Sequence, residues 1–269
     1  MPSPTQITIS QLSRLIGTPD CPVLVDVCID EDFKDDPRLI PSAFRHPHNR
    51  IEELATQLQG KKVVVICQKG KKLSSGSAAL LRNAGLDAES LEGGIHAWRD
   101  AGLQLVPVEK IPNGMAKQSS IWVTRHRPKI DRIACPWLIR RFIDPGAKFL
   151  FVAPADVLDV AEKFGATPFD IEGVFWSHRA DQCTFDTMVA EWDLAHEALD
   201  RLAKIVRAAD TNRHDLAPEA AGLLAVSLGL SRMYRDDLAQ LNAGMILYDS
   251  LYRWARDASS ETHDWPVTQ

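Results

Sequence analysis

From Thr8 to Val106 the chain alternates short, continuous apolar runs with segments of helical pattern. The runs Val23–Val27 and Val63–Ile66 are rich in β-branched residues and show almost no polar alternation. Strands of this kind are typical of a parallel sheet, because helices cover both of its faces. The alternation of strands with helices favours the same arrangement. We therefore predict an α/β domain, with a parallel sheet flanked by helices, over residues 1–106.

The remaining segments first extend this pattern and then change it. Helices are expected at Ser10–Ile16, Arg50–Gln59, Leu73–Ala84 and Ile95–Ala101, and a further strand at Ser90–Leu91. Prolines, together with Asn113 and Gly114, break regular structure over 107–120, which we interpret as a linker. A second, mainly α (α+β) domain is predicted over 121–269, with its few strands at Ile121–Thr124, Lys148–Val152 and Val174–Trp176. Its clearest helix is Leu194–Ala209, where apolar residues recur on one face.

The bulk properties argue against several classes of protein. With 269 residues, of which 45% are hydrophobic and 25% charged, the chain is long enough for two globular domains. The net charge of -5 makes general nucleic-acid binding unexpected, since such binding calls for a basic surface. No signal-peptide pattern or membrane-span-length apolar run is present, and the five cysteines without C-x-x-C spacing fit a reducing compartment. We expect a cytoplasmic protein without membrane contact.

Cys67 is the first candidate functional residue. It ends the second apolar strand and opens a cationic loop that runs into a helix. Backbone N–H groups, ammonium groups and a helix N-terminus all favour a negative charge, so this position favours a reactive thiolate. The alternative is a buried and inert cysteine at a strand end, which is the usual state of a structural thiol. The tight, glycine-containing loop beside the thiol favours the nucleophile.

Four segments, in this order along the chain, resemble the rhodanese family of sulfurtransferases. They are Leu24–Val27, Leu39–Ala43, the Cys67 loop and Leu91–Trp98. The resemblance implies that Cys67 takes a sulfane sulfur from a small thiosulfate-like anion, forms a persulfide and passes the sulfur to a thiol acceptor without a cofactor. The implied substrate-binding residues are Gln68, Lys69, Gly70, Lys71, Lys72 and Asp26.

Three positions near the loop refine this expectation. Lys72 stands where the family commonly has arginine, and it offers a point charge in place of a bidentate fork. Cys28 stands where arginine is frequent, and it is either a resolving thiol or strand filler. Cysteine phosphatases on this fold use a C-x5-R loop, but this chain has Leu73 at the position of that arginine. The shorter loop favours sulfur transfer over phosphate chemistry.

The second half contains two polar regions. Thr124–Asp144 combines many cations with an apolar helical face, and these cations either form a solvated face or attract an oxyanion or acidic partner. Downstream, His178, Cys183 and Asp186 lie in a short turn-like stretch that ends at a helix start. Imidazole, thiolate and carboxylate all bind transition metals, so we predict these three as metal ligands, although their spacing matches no known zinc motif.

Longer segments of this half resemble the C-terminal domain of chromate-resistance protein B. They are Lys129–Asp144, Pro168–Asp170, His178 with Cys183–Asp186, and Ala217–Ser231. The resemblance implies a link to chromate resistance, but it does not supply a reaction. The candidate polar site of this domain consists of Asp131, Arg132, Cys135 and Asp210. For the acidic cluster around Asp210, helix capping and loop solvation are the alternative.

These patterns lead to one functional hypothesis and one rival. The hypothesis is a two-domain sulfurtransferase in which Cys67 cycles through a persulfide, while the second domain binds or senses a transition metal ion or an oxyanion such as chromate. The rival is a non-catalytic, redox- or metal-responsive regulator of chromate resistance, in which the rhodanese-like domain only docks a partner.

Overall fold

The computed structural model describes residues 4–112 and 119–262, so Asn113 and Gly114 of the predicted linker and residues 263–269 lie outside the described residues. Within the described ranges the helices are α1 (Ile9–Leu15), α2 (Asp30–Asp35), α3 (Lys72–Asn83), α4 (Gly94–Asp100), α5 (Asp131–Leu138), α6 (Val157–Phe164), α7 (Thr184–Glu191), α8 (Glu197–Asp210), α9 (Ala220–Met233) and α10 (Asp237–Arg253). The strands are β1 (Gln6–Ile7), β2 (Val23–Asp26), β3 (Arg38–Leu39), β4 (Phe44–Arg45), β5 (Lys62–Ile66), β6 (Asp87–Leu91), β7 (Val106–Pro107), β8 (Ile121–Arg125), β9 (Lys148–Val152) and β10 (Thr167–Pro168). Shorter 3-10 helices occupy His48–Leu54, Val108–Lys110 and Pro154–Asp156, and π-helical turns follow α5 over Ile139–Ile143 and α10 over Trp254–Ala258. None of these helices is both long enough and apolar enough to span a bilayer.

A five-stranded parallel sheet forms the centre of the first domain, with the strand order β1-β6-β5-β2-β4. β5 lies in the middle, and Val63, Val64, Val65 and Ile66 are each 0% exposed. A strand that is buried on both faces has to be apolar throughout, which is the pattern in the sequence. The sheet and its flanking helices confirm the predicted α/β architecture.

The carboxyl ends of β2 and β5 lie side by side. Asp26, which ends β2, is in register with Ile66, which ends β5. The loops that begin at Val27 and Cys67 therefore leave the sheet at the same edge. In open α/β sheets, ligands bind outside the carboxyl ends of the strands. The fold thus places Cys67 where such sheets carry their binding sites.

The second domain packs helices around a small parallel sheet with the order β10-β8-β9. Its core is aromatic, and Trp122, Trp137 and Trp192 are each 0% exposed. Trp122 meets Trp192 edge-on at a centroid distance of 6.2 Å, a geometry that the ring quadrupoles favour. The expected helix-rich domain with few strands is confirmed.

One predicted strand of this domain is wrong. Val174–Trp176 is not extended, and its last residue makes only an isolated bridge to Phe169. Asp170 and Gly173 turn the chain here, with φ angles of 53° and 81°. Residues in the left-handed region interrupt a strand. The third strand of the sheet is instead the short β10, just before this turn.

The predicted helices of the first domain agree with the structure except in one place. The helix expected over Arg50–Gln59 is a shorter 3-10 helix over His48–Leu54, and turns follow it. Its buried residues are Ile51 and Leu54. Two buried side chains three residues apart suit the three-residue repeat of a 3-10 helix.

Both domains contribute to one apolar core in the described part of the chain. The amide of Ser42 in the first domain donates to the carbonyl of Phe142 in the second, at 2.5 Å. Trp192 donates through Nε1 to the carbonyl of Lys110 at 3.0 Å, and Lys110 pairs with Glu191 at 2.9 Å. The described part of the predicted linker is therefore anchored on the second domain.

Candidate functional site

Cys67 lies directly after the middle strand of the first sheet. Its side chain is buried, and Sγ lies 3.1 Å from Oγ of Ser74, which belongs to the first turn of α3. The Ser74 hydroxyl is also 3.2 Å from the carbonyl of Lys71, to which it donates. When Cys67 is a thiolate, the same hydroxyl can turn and donate to sulfur, which stabilises the negative charge.

A glycine turn packs directly behind the Cys67 loop. The amides of Ile95 and His96 donate to the carbonyls of Cys67 and Gln68, at 3.1 and 3.0 Å. A Cβ atom on Gly94 would lie 2.1 Å from the carbonyl oxygen of Cys67, and Gly94 has a φ angle of 60°. This close approach requires glycine, because any side chain would displace the loop. The contact explains why a glycine pair accompanies the cysteine loop in the sequence.

The other loop residues differ in their exposure. Lys69, Lys71 and Lys72 are exposed, Gln68 is half-buried, and Gly70 is buried. Solvated lysines can meet a small anion without a large desolvation cost. Their contact with a substrate stays a prediction.

A cleft of about 380 Å³ opens beside the loop. Its lining includes Gln68 and Lys69 of the loop, Arg99 of α4, and Asp36, which lies 3.6 Å from Arg99. The lining therefore carries charges of both signs. Because Cys67 is only 5% exposed, a small substrate suits a reaction at its sulfur better than a polymer does.

Asp26 and Cys28 belong to the frame of this site. Asp26 is 1% exposed, and its Oδ1 accepts a hydrogen bond from the amide of Cys28 at 2.8 Å. Burial raises the pKa of Asp26, and burial together with Asp26 raises the pKa of the Cys28 thiol. Asp26 thus shapes the end of β2, and its contact with a substrate stays a prediction. A thiol that stays protonated resolves persulfides poorly, so Cys28 fits the strand-filler alternative.

In the second domain, three carboxylates converge on one imidazole. Nε2 of His178 lies 3.3 Å from Oδ2 of Asp210, 3.4 Å from Oδ1 of Asp170 and 3.5 Å from Oδ2 of Asp131. Asp131 and Asp170 are 1% and 5% exposed, whereas the His178 side chain is 41% exposed. The site has a buried acidic floor with the imidazole at its opening.

Thr184, the first residue of α7, orients two of these carboxylates. Its amide donates to Oδ2 of Asp131 at 2.6 Å, and its hydroxyl donates to Oδ1 of Asp170 at 2.8 Å. Arg125 and Arg132 hold the other oxygen of Asp170, Oδ2, at 3.1 and 3.3 Å. Oδ1 therefore faces the imidazole. Asp131 is the first residue of α5, so two helix N-termini, which favour carboxylates, meet at this point.

The groups of this site shift one another's pKa values. Asp170 and Asp210 raise the pKa of His178 to about 10, against the effect of burial. Burial raises the pKa of Asp131 well above its usual value, and Asp210 and Asp170 add to this shift. Burial also acts to raise the pKa of Asp170, but His178, Thr184 and the two arginines outweigh it and lower that pKa. Groups perturbed in this way cluster at functional sites.

The structure groups the predicted ligand His178 with carboxylates other than that of Asp186. Asp186 accepts a hydrogen bond from the amide of Cys183 through Oδ2 at 3.0 Å, and its Oδ1 lies 3.3 Å from Arg207. It therefore caps α7 instead of facing His178. Within residues 4–112 and 119–262, the group whose metal-binding atoms all lie within 4.8 Å of one another is Asp131, Asp170 and His178.

The two cysteines near this site are buried thiols. Cys135 and Cys183 are each 0% exposed. Burial raises the pKa of both thiols well above the usual value, and the charge of Asp131 adds to the shift. Neither sulfur belongs to the group of described residues whose metal-binding atoms lie within 4.8 Å of one another, and both thiols pack in the core. The metal role of Cys183 stays a prediction.

Asp170 is the residue that the sequence does not identify as a ligand. It enters the sequence argument only as part of Pro168–Asp170, through the resemblance of that segment. The parallel pairing of β10 with β8 brings it beside Arg125 and within 3.4 Å of His178. An aspartate after proline and phenylalanine has no local pattern that signals such a contact. The predicted polar residues Asp131, Arg132 and Asp210 do lie around it.

Some arginines of the segment Thr124–Asp144 make hydrogen bonds to other helices of the second domain. Arg127 donates to the carbonyls of Ser231 and Tyr234. Arg141 makes two hydrogen bonds to the carboxylate of Asp249, both at 2.7 Å. These two arginines brace neighbouring helices, so they fit neither a solvated face nor an oxyanion patch.

Comparison with known proteins bears on both halves of the chain. Residues 122–255 match the family model for the ChrB C-terminal domain, and residues 8–101 match the model for the rhodanese-like domain. Protein ChrB of Cupriavidus metallidurans is 33% identical over 168 residues, which cover 58% of this chain and 50% of that protein. An uncharacterized protein of Synechocystis sp. is 29% identical over 149 residues, which cover 54% of this chain and 78% of that protein. The family matches confirm both resemblances seen in the sequence, although this chain spans only about half the length of ChrB.

Solved structures with similar chains are also known. A rhodanese-related protein from Thermoplasma volcanium is 25% identical and covers 38% of this chain and 96% of its own, with a TM-score of 0.33. A rhodanese-like domain protein from Staphylococcus aureus is 29% identical and covers 35% of this chain and 90% of its own, with a TM-score of 0.31. The family matches and the strand order carry the assignment of the fold.

Proposed function

Because the chain joins a rhodanese-like domain to a ChrB C-terminal domain, we propose that it is a sulfurtransferase with Cys67 as its nucleophile. The observation that carries the proposal is the position of Sγ, after the middle strand of the sheet and 3.1 Å from the hydroxyl of Ser74. At this position the thiol meets a hydroxyl donor, the N-terminus of α3 and a loop with three lysines. Each of these groups stabilises a thiolate.

The proposed reaction has two displacement steps. The thiolate of Cys67 attacks the sulfane sulfur of thiosulfate, the S–S bond of thiosulfate breaks, and sulfite leaves with the electron pair. The product on the enzyme is the Cys67 persulfide. A thiolate or cyanide then attacks the outer sulfur, which returns the Cys67 thiolate and releases a persulfide or thiocyanate. Sulfite is a good leaving group, so the site mainly has to supply a thiolate and fixed donors.

Transfer of sulfur from thiosulfate to cyanide tests the proposal directly. We expect the wild-type chain to form thiocyanate and Cys67→Ser to lose that activity, because a serine hydroxyl is not ionised at neutral pH. Intact-mass spectrometry after thiosulfate treatment should show the added mass of one sulfur atom on the wild type. Cys28→Ser is the matched control, since it removes a neighbouring thiol and should keep both signals.

The rival function predicts a different outcome. If the rhodanese-like domain only docks a partner, thiosulfate adds no sulfur to Cys67 and no thiocyanate forms. Activity that persists in Cys67→Ser would equally contradict the proposal.

A link to chromate resistance is the second part of the proposal, and its support is the ChrB C-terminal domain match. Chromate and thiosulfate are both tetrahedral dianions, so the same loop of amides and lysines can meet either. We expect chromate to compete with thiosulfate in a steady-state assay. Unchanged kinetics at millimolar chromate would exclude binding of chromate at the Cys67 loop.

A further inference from the structure

The contacts of His178 do not match a simple ion pair. Its Nε2 carries at most one proton and can donate one hydrogen bond, yet three carboxylate oxygens lie 3.3, 3.4 and 3.5 Å from it. Charge-assisted hydrogen bonds from nitrogen to a carboxylate are shorter, about 2.7–2.9 Å. Nitrogen and oxygen atoms that bind one metal ion at about 2.0–2.2 Å lie roughly 3.0–3.5 Å apart. The observed spacing is that of ligands around a common ion.

Asp131 supplies an independent observation. Its side chain is 1% exposed, and its Oδ1 has no hydrogen-bond partner in the described structure. Its other oxygen, Oδ2, accepts a hydrogen bond from the amide of Thr184 and lies 3.5 Å from Nε2 of His178. A buried carboxyl oxygen without a partner is unfavourable, and a cation bound to this carboxyl group would supply one.

We propose that Asp131, Asp170 and His178 bind one divalent first-row metal ion, with Asp210 as a further carboxylate ligand. Two to three carboxylate oxygens with one imidazole suit Mn²⁺, Fe²⁺ or Zn²⁺. Mg²⁺ and Ca²⁺ fit less well, because they prefer ligand sets made of oxygen alone. A soft thiolate ligand is absent from this group of described residues. This site is distinct from the Cys67 loop, and the proposal goes beyond sulfur transfer.

The surroundings of the group support a resident ion with an open side. Thr184 holds one oxygen of each buried carboxylate, and two arginines hold the outer oxygen of Asp170. Partners that fix ligand oxygens in this way raise metal affinity. A cleft of about 310 Å³ reaches the group from solvent, and its lining includes Arg125, Asp170, Ser177 and His178. A bound ion would therefore keep a position for water or a small anion beside the Arg125 guanidinium.

Titration of the metal-stripped full chain with Mn²⁺ tests this inference. We expect saturable binding of one Mn²⁺ per chain. The electron paramagnetic resonance signal of free Mn²⁺ measures the binding, and elemental analysis checks the stoichiometry. Asp131→Asn and His178→Ala should each weaken binding by at least about tenfold, because the first removes the negative charge of a ligand and the second removes the imidazole. Asp186→Asn is the matched control: it changes another buried carboxylate of the same domain, and it should keep the affinity.

His178→Ala decides the test if Asp131→Asn does not fold, because the His178 side chain is 41% exposed and its loss should leave the circular dichroism spectrum unchanged. Absence of saturable Mn²⁺ and Zn²⁺ binding would overturn the inference. Binding that survives His178→Ala, or that is lost only in Asp186→Asn, would overturn it as well. Cys67→Ser should bind Mn²⁺ like the wild type, so failure of the sulfur-transfer proposal and failure of this one are distinguishable.

Discussion

The Cys67 loop and the carboxylate site are built in opposite ways. The thiol, its cationic loop and Ser74 come from one short continuous segment at the end of β5. The carboxylate site draws Asp131, Asp170 and His178 from separate parts of the second domain, and Asp210 joins them from the end of α8. A contiguous site is visible in the sequence as a unit, whereas the residues of a site assembled by tertiary packing appear there only as separate candidates.

The two sites also differ in how they are joined to the fold. The charged side chains of the Cys67 loop itself are exposed lysines. The acidic floor of the other site is buried and hydrogen-bonded to a helix N-terminus. We expect the backbone behind the thiol loop to be sensitive to added atoms, and the carboxylate site to be sensitive to lost polar partners. The experiments that follow are ordered by the size of effect that this contrast predicts.

Gly94→Ala should have the largest effect. The new Cβ would meet backbone atoms, 2.1 Å from the Cys67 carbonyl oxygen and 2.4 Å from the amide nitrogen of Gly70, at a φ angle of 60°. The left-handed conformation costs about 1–2 kcal/mol and overpacking about 1–3 kcal/mol more. We expect unfolding free energy to fall by about 2–5 kcal/mol in urea denaturation, with loss of sulfur transfer.

Gly85→Ala is the control for this change. It has a φ angle of 85°, but a Cβ there meets no atom within 4 Å. Only the conformational cost, about 1–2 kcal/mol, should appear, and sulfur transfer should persist. Equal effects of the two variants would show that the contact behind the loop does not hold it in place.

Gly17→Ala tests whether the two domains that carry the sites unfold together in one cooperative transition. Its Cβ would lie 2.4 Å from Cζ of Phe142 and 2.8 Å from Cε1 of Tyr252, both in the second domain. Ring atoms can shift more easily than backbone, so we expect a smaller loss of unfolding free energy than for Gly94→Ala, about 2–4 kcal/mol. Probes in both domains should still report one transition. Two separate transitions would refute the coupling inferred from the shared core.

The contrast between the sites also explains what the sequence could predict. β-branched runs such as Val63–Ile66 identify a buried parallel strand, because burial on both faces leaves no polar alternation. Cys67 follows from that strand and from the loop beside it. Asp170 could not be predicted, because its contact with His178 depends on the pairing of β10 with β8 and on a left-handed turn. Asp186 is predicted as a ligand because the sequence does not distinguish an aspartate that caps a helix from one that binds a metal ion.

Thr184→Val measures how far the buried carboxylates depend on their polar partners. The change removes the hydroxyl that donates to Oδ1 of Asp170 at 2.8 Å. We expect unfolding free energy to fall by about 1–3 kcal/mol, because a buried acceptor loses its donor. Mn²⁺ binding should weaken by about tenfold, since Oδ1 loses its orientation.

Thr18→Val, in the first domain, is the matched control. Its buried hydroxyl donates to the carbonyl of Leu15 at 2.7 Å, so it loses a comparable hydrogen bond away from the carboxylates. Stability should fall by about the same amount, while Mn²⁺ affinity stays unchanged. If both variants weaken Mn²⁺ binding equally, Thr184 acts only through the stability of the fold.

Ser74→Ala should have the smallest effect, on rate alone. The hydroxyl lies 3.1 Å from Sγ of Cys67, and it stabilises the thiolate only by turning away from the carbonyl of Lys71. Loss of one such donor, at about 1–2 kcal/mol, should lower kcat/KM for thiosulfate by roughly 5- to 30-fold. Ser77→Ala removes another buried hydroxyl one turn along α3 and should leave kcat/KM unchanged. Equal losses in both variants would mean that the thiol site, like the carboxylate site, depends on the packing of its helix, and the contrast between the two sites would fail.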